Sequence, residues 1–400
     1  MENSVLFNEA KNFFQVFEPK GEIITTISVP GSVQLLGETC EFNKGGVLSA
    51  LINKSAFILA QKRRDNDRSV QLYSRKYDEK IRLSLNERNA GEEGGWANHI
   101  ASTLFMLESL SKKVAGMNIL IDNQIPDLFD ANSSEALEAG VAYIASRFSD
   151  WTMSGVEIAT ACAEGERNFM GRKKSPVKYM PIISGKKGAL HYFNPATNVD
   201  ESPEADLNGL VFMTLSSGIK KKTLEAKRRA VFDDVERALA VINGEGASIT
   251  SLDMLSMEEF DEYRPKLSMA QRKRCAFFIS ENERVYQAKK FIEDKNLDGF
   301  VGVINDSQKN IKNRLELVDE ENEILIDIIQ DSPEVKAVKM LNMGADGTVL
   351  LLVEKEKRQP VEVKIKKTFL TRTGLELNAM VFDLNNEMAE SSINVSEFRK

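Results

Sequence analysis

Three stretches of this 400-residue chain hold residues whose type and spacing could do chemistry. The first runs from Pro30 to Leu48, with glycines at 31, 37, 45 and 46 and acids at Glu38 and Glu41. Glycines let a backbone turn tightly, and carboxylates accept hydrogen bonds from a polyhydroxyl ligand; read alone, the stretch is a loop between strands, since most such loops are merely turns. The second, Gln124 to Leu137, sets Asp127, Asp130 and Glu135 around Ser133 and Ser134. The third, Arg172 to Lys187, has six basic residues and no acidic one. The plain reading of such a run is a solvated loop.

The inventory around these stretches excludes whole classes of chemistry. Only His99 and His191, and only Cys40, Cys162 and Cys275, occur in the chain. That rules out a zinc site of His and Cys at short spacing and leaves carboxylates, Arg/Lys, hydroxyls and backbone amides. Cys40 has no neighbouring base in sequence to lower its thiol pKa, and both histidines read as structural. The balance of 53 Lys+Arg against 60 Asp+Glu, net −7, gives no basic field for nucleic acid. Three widely spaced cysteines, no signal-peptide pattern and no long apolar run predict a reduced, cytoplasmic chain without a membrane partner.

The elements that must position these residues alternate in type. Strands are expected over Glu22–Ser28, Ser55–Lys62, Ser69–Ser74 and Lys80–Leu85. Trp96, Ile100, Leu104, Leu107 and Leu110 recur at helical spacing, and Met117–Ile121 reads as a strand ending at Asp122-Asn123. A helix then starts near the capping residues Asn132-Ser133-Ser134, and another covers Ser154–Phe169. The turn-rich patch Asn194–Asn208 is the linker candidate, dividing the chain into residues 1–200 and 201–400. Strands at Leu210–Leu215 and Thr348–Glu354 and helices at Leu224–Ile242 and Gln271–Lys295 fill the second half.

The run Pro30-Gly31-Ser32-Val33 through Gly37-Glu38 to Asn43-Lys44-Gly45-Gly46 resembles the N-terminal signature of galactokinases, in the GHMP kinase superfamily. Trp96-Ala97-Asn98, Asp206–Arg229, Glu281–Arg284 and Thr373-Gly374-Leu375 are similar to further family segments. The resemblance implies an α+β, two-domain GHMP kinase-like fold with a cleft between the domains. It also implies a sugar site at Glu38, Thr39, Cys40 and Glu41, and nucleotide-phosphate loops at Asp130, Ser133, Ser134 and at Gly344 and Gly347. Ser134 is the metal candidate. The resemblance places the family's catalytic Asp at Lys178 and its Arg at Ser32.

Those departures bear on chemistry. Phosphate-loop glycines fall on Leu128 and Asp130, and a small residue falls on Glu135. Each carboxylate meeting a phosphate at a few ångströms opposes binding by about 4 kcal/mol at an effective dielectric near 20. An ammonium at 178 cannot accept a hydroxyl proton, which removes general-base help worth roughly 10²–10⁴-fold. It could instead pair with Asp130 or Glu41. The expectation is a galactokinase-like protein with lost or impaired ATP-dependent sugar 1-phosphotransfer, acting by binding a small molecule such as a hexose, or a protein. The alternative is an active ATP-dependent kinase that uses substitute residues, with Mg-ATP as cofactor.

Overall fold

A computed structural model describes residues 2–18, 23–38, 43–65, 67–86, 95–218, 222–344 and 347–394. Thr39, Cys40 and Glu41 lie outside the described residues. The first half is α1 (Glu2–Phe17), β1 (Ile23–Leu36), β2 (Val47–Lys62), β3 (Ser69–Ser74), β4 (Glu79–Ser84), α2 (Ala97–Ser109) and β5 (Met117–Asn123). It continues with α3 (Ser133–Phe148), α4 (Gly155–Met170), α5 (Met180–Ser184), β6 (His191–Asn194) and β7 (Val199–Glu201). The second half is β8 (Leu210–Ser216), α6 (Lys222–Gly244), α7 (Met257–Tyr263), α8 (Met269–Glu293), α9 (Leu297–Asn310) and α10 (Glu320–Gln330). It ends with β9 (Val335–Met340), β10 (Thr348–Glu354), α11 (Arg358–Thr373), β11 (Asn378–Phe382) and β12 (Ala389–Asn394).

The strands form two sheets. The larger runs β12-β1-β2-β5-β3-β4, with β6 on β2 and β7 on β6; the smaller is β11-β8-β10-β9. The Asn194–Asn208 patch is not a plain linker, because β7 pairs antiparallel with β6 inside it. At the chain's end β12 returns to the first sheet, Asn394 opposite Ile23. The division at residues 200 and 201 stays our proposal, with β12 crossing back over it.

Period-two alternation in β8 and β10 decides how the halves join. Phe212, Leu350 and Leu352 face a core shared with β1, β2, β5, α2, α3 and α4. Their neighbours Val211, Met213, Leu215, Val349, Leu351 and Val353 face a second core against α6, α8, α10 and α11. Helix α8 reaches both cores, through Val285 and Ala288 on one side and Phe277 and Phe278 on the other. Each such buried side chain contributes roughly 1.5–3 kcal/mol against its exposed state. Two-sided packing therefore fixes the floor of the cleft.

Helix ends set the loops that matter. Helix α4 begins with a capping box, Ser154 with Glu157, and stops at Gly171 in the left-handed conformation, φ 66°. That stop releases the chain into the basic stretch, which turns back through Pro176–Lys178 toward α3. Helix α1, which no expectation covered, closes the outer face of the first sheet with Leu6, Ala10 and Phe13 on Phe57, Leu59 and Leu120.

Candidate functional site

Strand β1 carries the first signature into the interior. Ser32 is fully buried; its amide donates to Ala131 O at 3.1 Å, and its hydroxyl accepts from Asn132 Nδ2 at 2.9 Å. Strand β1 and the loop ahead of α3 are thus stitched together. At the end of the strand Gly37 has φ 89°, and an added Cβ there would meet the Gly46 carbonyl. Glycine is required at that turn.

Glu38 follows, and it is buried. Burial pushes its carboxyl above the usual range, against the pull of Lys339, whose ammonium lies 3.5 Å away. Its neighbour Glu281 on α8 accepts from the Gly37 amide at 3.3 Å, from Ser307 Oγ at 2.8 Å and from Arg284 Nε at 2.8 Å. Burial alone would raise Glu281, but Arg284 and then Lys339 hold it below the carboxylate range. Asn43 and Asn282 exchange amide hydrogen bonds at 3.0 and 2.8 Å, and Asn43 also donates to Glu38 O at 2.8 Å. Polar groups of α8, α9 and β9 therefore lock the signature loop from the second half.

The loop before α3 departs from the expected capping. Asn132 sits at φ 51°, and its side chain caps nothing because it is turned onto Ser32. Phe129 and Asp130 are also left-handed, at φ 73° and 50°. Lys178 reaches this loop from the turn after the basic stretch, its Nζ 3.2 Å from Asp130 Oδ1. That lies inside direct pairing range. Asp130 is the first cause of the upward shift in the Lys178 pKa, so the residue is an ammonium and not a base.

A second cation stands beside it. Lys174 Nζ donates to Ser134 Oγ at 2.9 Å and lies 3.3 Å from Glu135, 3.2 Å from Glu138 and 3.6 Å from Glu166. Burial alone would raise Glu135, yet Lys174 and Lys178 hold it below its ordinary value. His99 Nδ1 bridges Glu138 and Glu166 at 3.0 and 2.5 Å, and Tyr179 donates to Glu138 at 2.5 Å. Burial opposes the His99 charge, but the two carboxylates prevail and push its pKa up to about 9. A divalent cation does not fit beside Ser134 in this arrangement, because the ammonium takes the contacts that the cation would need.

A cavity of about 530 Å³ adjoins this cluster, lined among others by Lys76, Trp96, His99, Asn123, Ser133 and Arg172. Tyr77 and Trp96 stack at its rim, centroids 6.1 Å apart. The third signature is half retained: Gly344 has φ 82° and Gly347 has φ 62°, while Asn342 and Met343 hold left-handed φ without being glycine. Lys178, Ser32, Asp130, Ser133 and Ser134 therefore share one locality, and the Asp130 charge adds a small push to the raised Glu38 carboxyl.

Residues outside the expected set also matter here. Glu138, Glu166 and Lys174 were hidden because helical spacing on α3 and α4 brings acids to a face that only tertiary packing defines. Lys339 had a signal: it occupies an inward register position of β9, two residues beyond Ala337.

Comparisons with known proteins bear on the family and the fold. Residues 11–62 match the galactokinase galactose-binding signature. The galactokinase of Staphylococcus saprophyticus is 26% identical over 368 residues, 91% of this chain and 94% of that protein. The galactokinase of Clostridium tetani is 25% identical over 369 residues, 92% and 93% of the two chains. The crystal structure of Lactococcus lactis galactokinase complexed with galactose superposes with a TM-score of 0.86 at 23% identity, covering 96% of this chain and 99% of that one. A mevalonate kinase structure, at 17% identity, gives a TM-score of 0.60. The fold is that of the GHMP kinases.

Proposed function

Signature, relatives and fold support a place for this chain in the galactokinase branch of the GHMP kinase superfamily, and from that premise we propose a galactokinase-like binding protein. Its ATP-dependent sugar 1-phosphotransfer is lost or strongly impaired, and its ligand is a small polyhydroxyl molecule, a hexose first among them. The ligand is held by the segment that includes Glu38, Thr39, Cys40 and Glu41. The observation that carries this reading is the Lys178–Asp130 ion pair at 3.2 Å. It fixes an ammonium where the resemblance puts the proton-accepting Asp, and a carboxylate where it puts a phosphate-loop glycine.

Two measurements test the proposal. A coupled ADP-release assay with galactose and a hexose panel is expected to show no turnover, while calorimetry with the same sugars shows binding. Turnover on any sugar overturns the reading. A second reading, an active kinase working through substitute residues with Mg-ATP, is favoured by the open 530 Å³ cavity beside α2 and α3. Tight Mg-ATP binding with turnover would select it. A role through a protein partner predicts no sugar binding and recovery of that partner by pull-down.

A further inference from the structure

Four oxygen donors converge on one point between α3 and α4. Ser134 Oγ and the carboxylates of Glu135, Glu138 and Glu166 all lie 2.9–3.6 Å from Lys174 Nζ. Glu138 and Glu166 are fully buried and Glu135 nearly so. The nearest ligand atoms of His99, Glu138 and Glu166 fall within 4.8 Å of one another, the span of a metal site. Carboxylates at such separation repel strongly in a low dielectric and need a cation among them. Lys174 supplies it together with His99, which bridges Glu138 and Glu166: only 15% of the Lys174 side chain is exposed, and its three protons meet four oxygens.

We infer that the Lys174 ammonium is a tethered substitute for a divalent cation, and that any ligand of the adjoining cavity is bound without a metal ion. Mg²⁺ binds oxygens at about 2.0–2.1 Å and Ca²⁺ at about 2.3–2.6 Å, so either ion would have to expel the ammonium before the donors could close around it. The cation also comes from the chain, so metal concentration no longer controls the pocket. This inference rests on the reading that phosphotransfer is lost, since a kinase working with Mg-ATP would need the ion that the ammonium displaces; metal uptake and ADP release are read separately, so either can fail without the other.

The test uses the full chain and Mn²⁺ alone, read by the electron paramagnetic resonance of the free ion. Wild type is expected to leave the signal unchanged in the submillimolar range. Lys174→Ala should take up one Mn²⁺ per chain, and Lys174→Ala/Glu166→Gln should weaken that uptake about 10–100-fold, the usual effect of losing one supporting group of a metal site. Because Lys174→Ala leaves the buried acids with His99 but without the ammonium, its thermal melt is measured with and without Mn²⁺, alongside Lys174→Ala/Glu135→Gln. Mn²⁺ should raise the melting temperature of both variants and not that of wild type. Two results overturn the inference: saturable Mn²⁺ uptake by wild type that Glu166→Gln removes, or no uptake and no thermal shift in either lysine variant.

Discussion

Lys178→Met, Asp130→Asn and the double variant form a cycle that measures whether the pair at the centre of the site is energetically real. At 3.2 Å and an effective dielectric near 20, the bare attraction is about 5 kcal/mol. The two side chains are 28% and 17% exposed, so water screens part of it, and desolvation and lost rotamer freedom offset more. A coupling of about 1–2 kcal/mol is the expected remainder, between the values of exposed and buried pairs. Lys178→Met should cost more than Asp130→Asn, because Lys178 also steadies Glu135. Urea unfolding of the four proteins reads the coupling, and repeating it at high salt should reduce the value only partly, since screening acts mainly on the exposed fraction. Strictly additive effects, with a coupling within about 0.3–0.5 kcal/mol of zero, would refute the claim that Asp130 holds Lys178 in place.

Lys178→Asp combined with Ser32→Arg should restore no sugar-dependent ADP release. Ser32 is fully buried against Asn132, so the arginine should also lower the melting temperature; turnover by this variant would mean that the carboxylates of the loop before α3 matter less than proposed. Glu281 is held below its ordinary value of 4.5, so the stability it adds is complete above that pH and lost as pH falls through its lower folded value. Glu281→Gln should flatten the acid limb of stability against pH below 4.5, and an unchanged limb would count against the Arg284 and Lys339 interactions. Gly45→Ala puts a methyl into the Asn282 amide and should cost about 1–3 kcal/mol in chemical denaturation; a neutral result would mean that the Asn43–Asn282 lock is loose.

What the sequence made legible was whatever depended on short-range pattern. The periodicity of Trp96 to Leu110 located α2, and the apolar, β-branched runs located β10, the first half of β1 and the second half of β2, whereas Pro30–Leu36, read as a turn and loop, continues β1 as strand. The first signature carried the family, because its glycines and Glu38 sit at fixed spacing along one strand and turn. Helix α1 escaped notice because its value lies in covering a sheet face that no local pattern reveals. The same reason hid the partners of Lys174, whose acids come from residues 135, 138 and 166 on two helices. The pairing of Lys178 with Asp130 was foreseeable only because the resemblance set both residues around one site. The Asn132 cap failed on backbone conformation, since a residue at positive φ directs its side chain away from the first turn of the helix.

The two glycine-poor loops show what separates this site from a phosphate cradle. Phe129 and Met343 hold left-handed backbone, a conformation that costs a residue with a Cβ roughly 1–2 kcal/mol. Both are buried, at 6% and 3% exposure, so packing keeps the loops on the path that glycines would follow unstrained. The charges inside are also matched from within: Asp127 pairs with Lys76, Asp130 with Lys178, Glu135 with Lys174 and Glu38 with Lys339. Glu138 and Glu166 share Lys174 with Glu135 and lie against His99, so the site offers little net field to a polyanion or to a divalent cation. It can still exchange hydrogen bonds with hydroxyl groups, whose binding needs no net charge. Internal neutralisation is thus in keeping with the uncharged polyhydroxyl ligand proposed above.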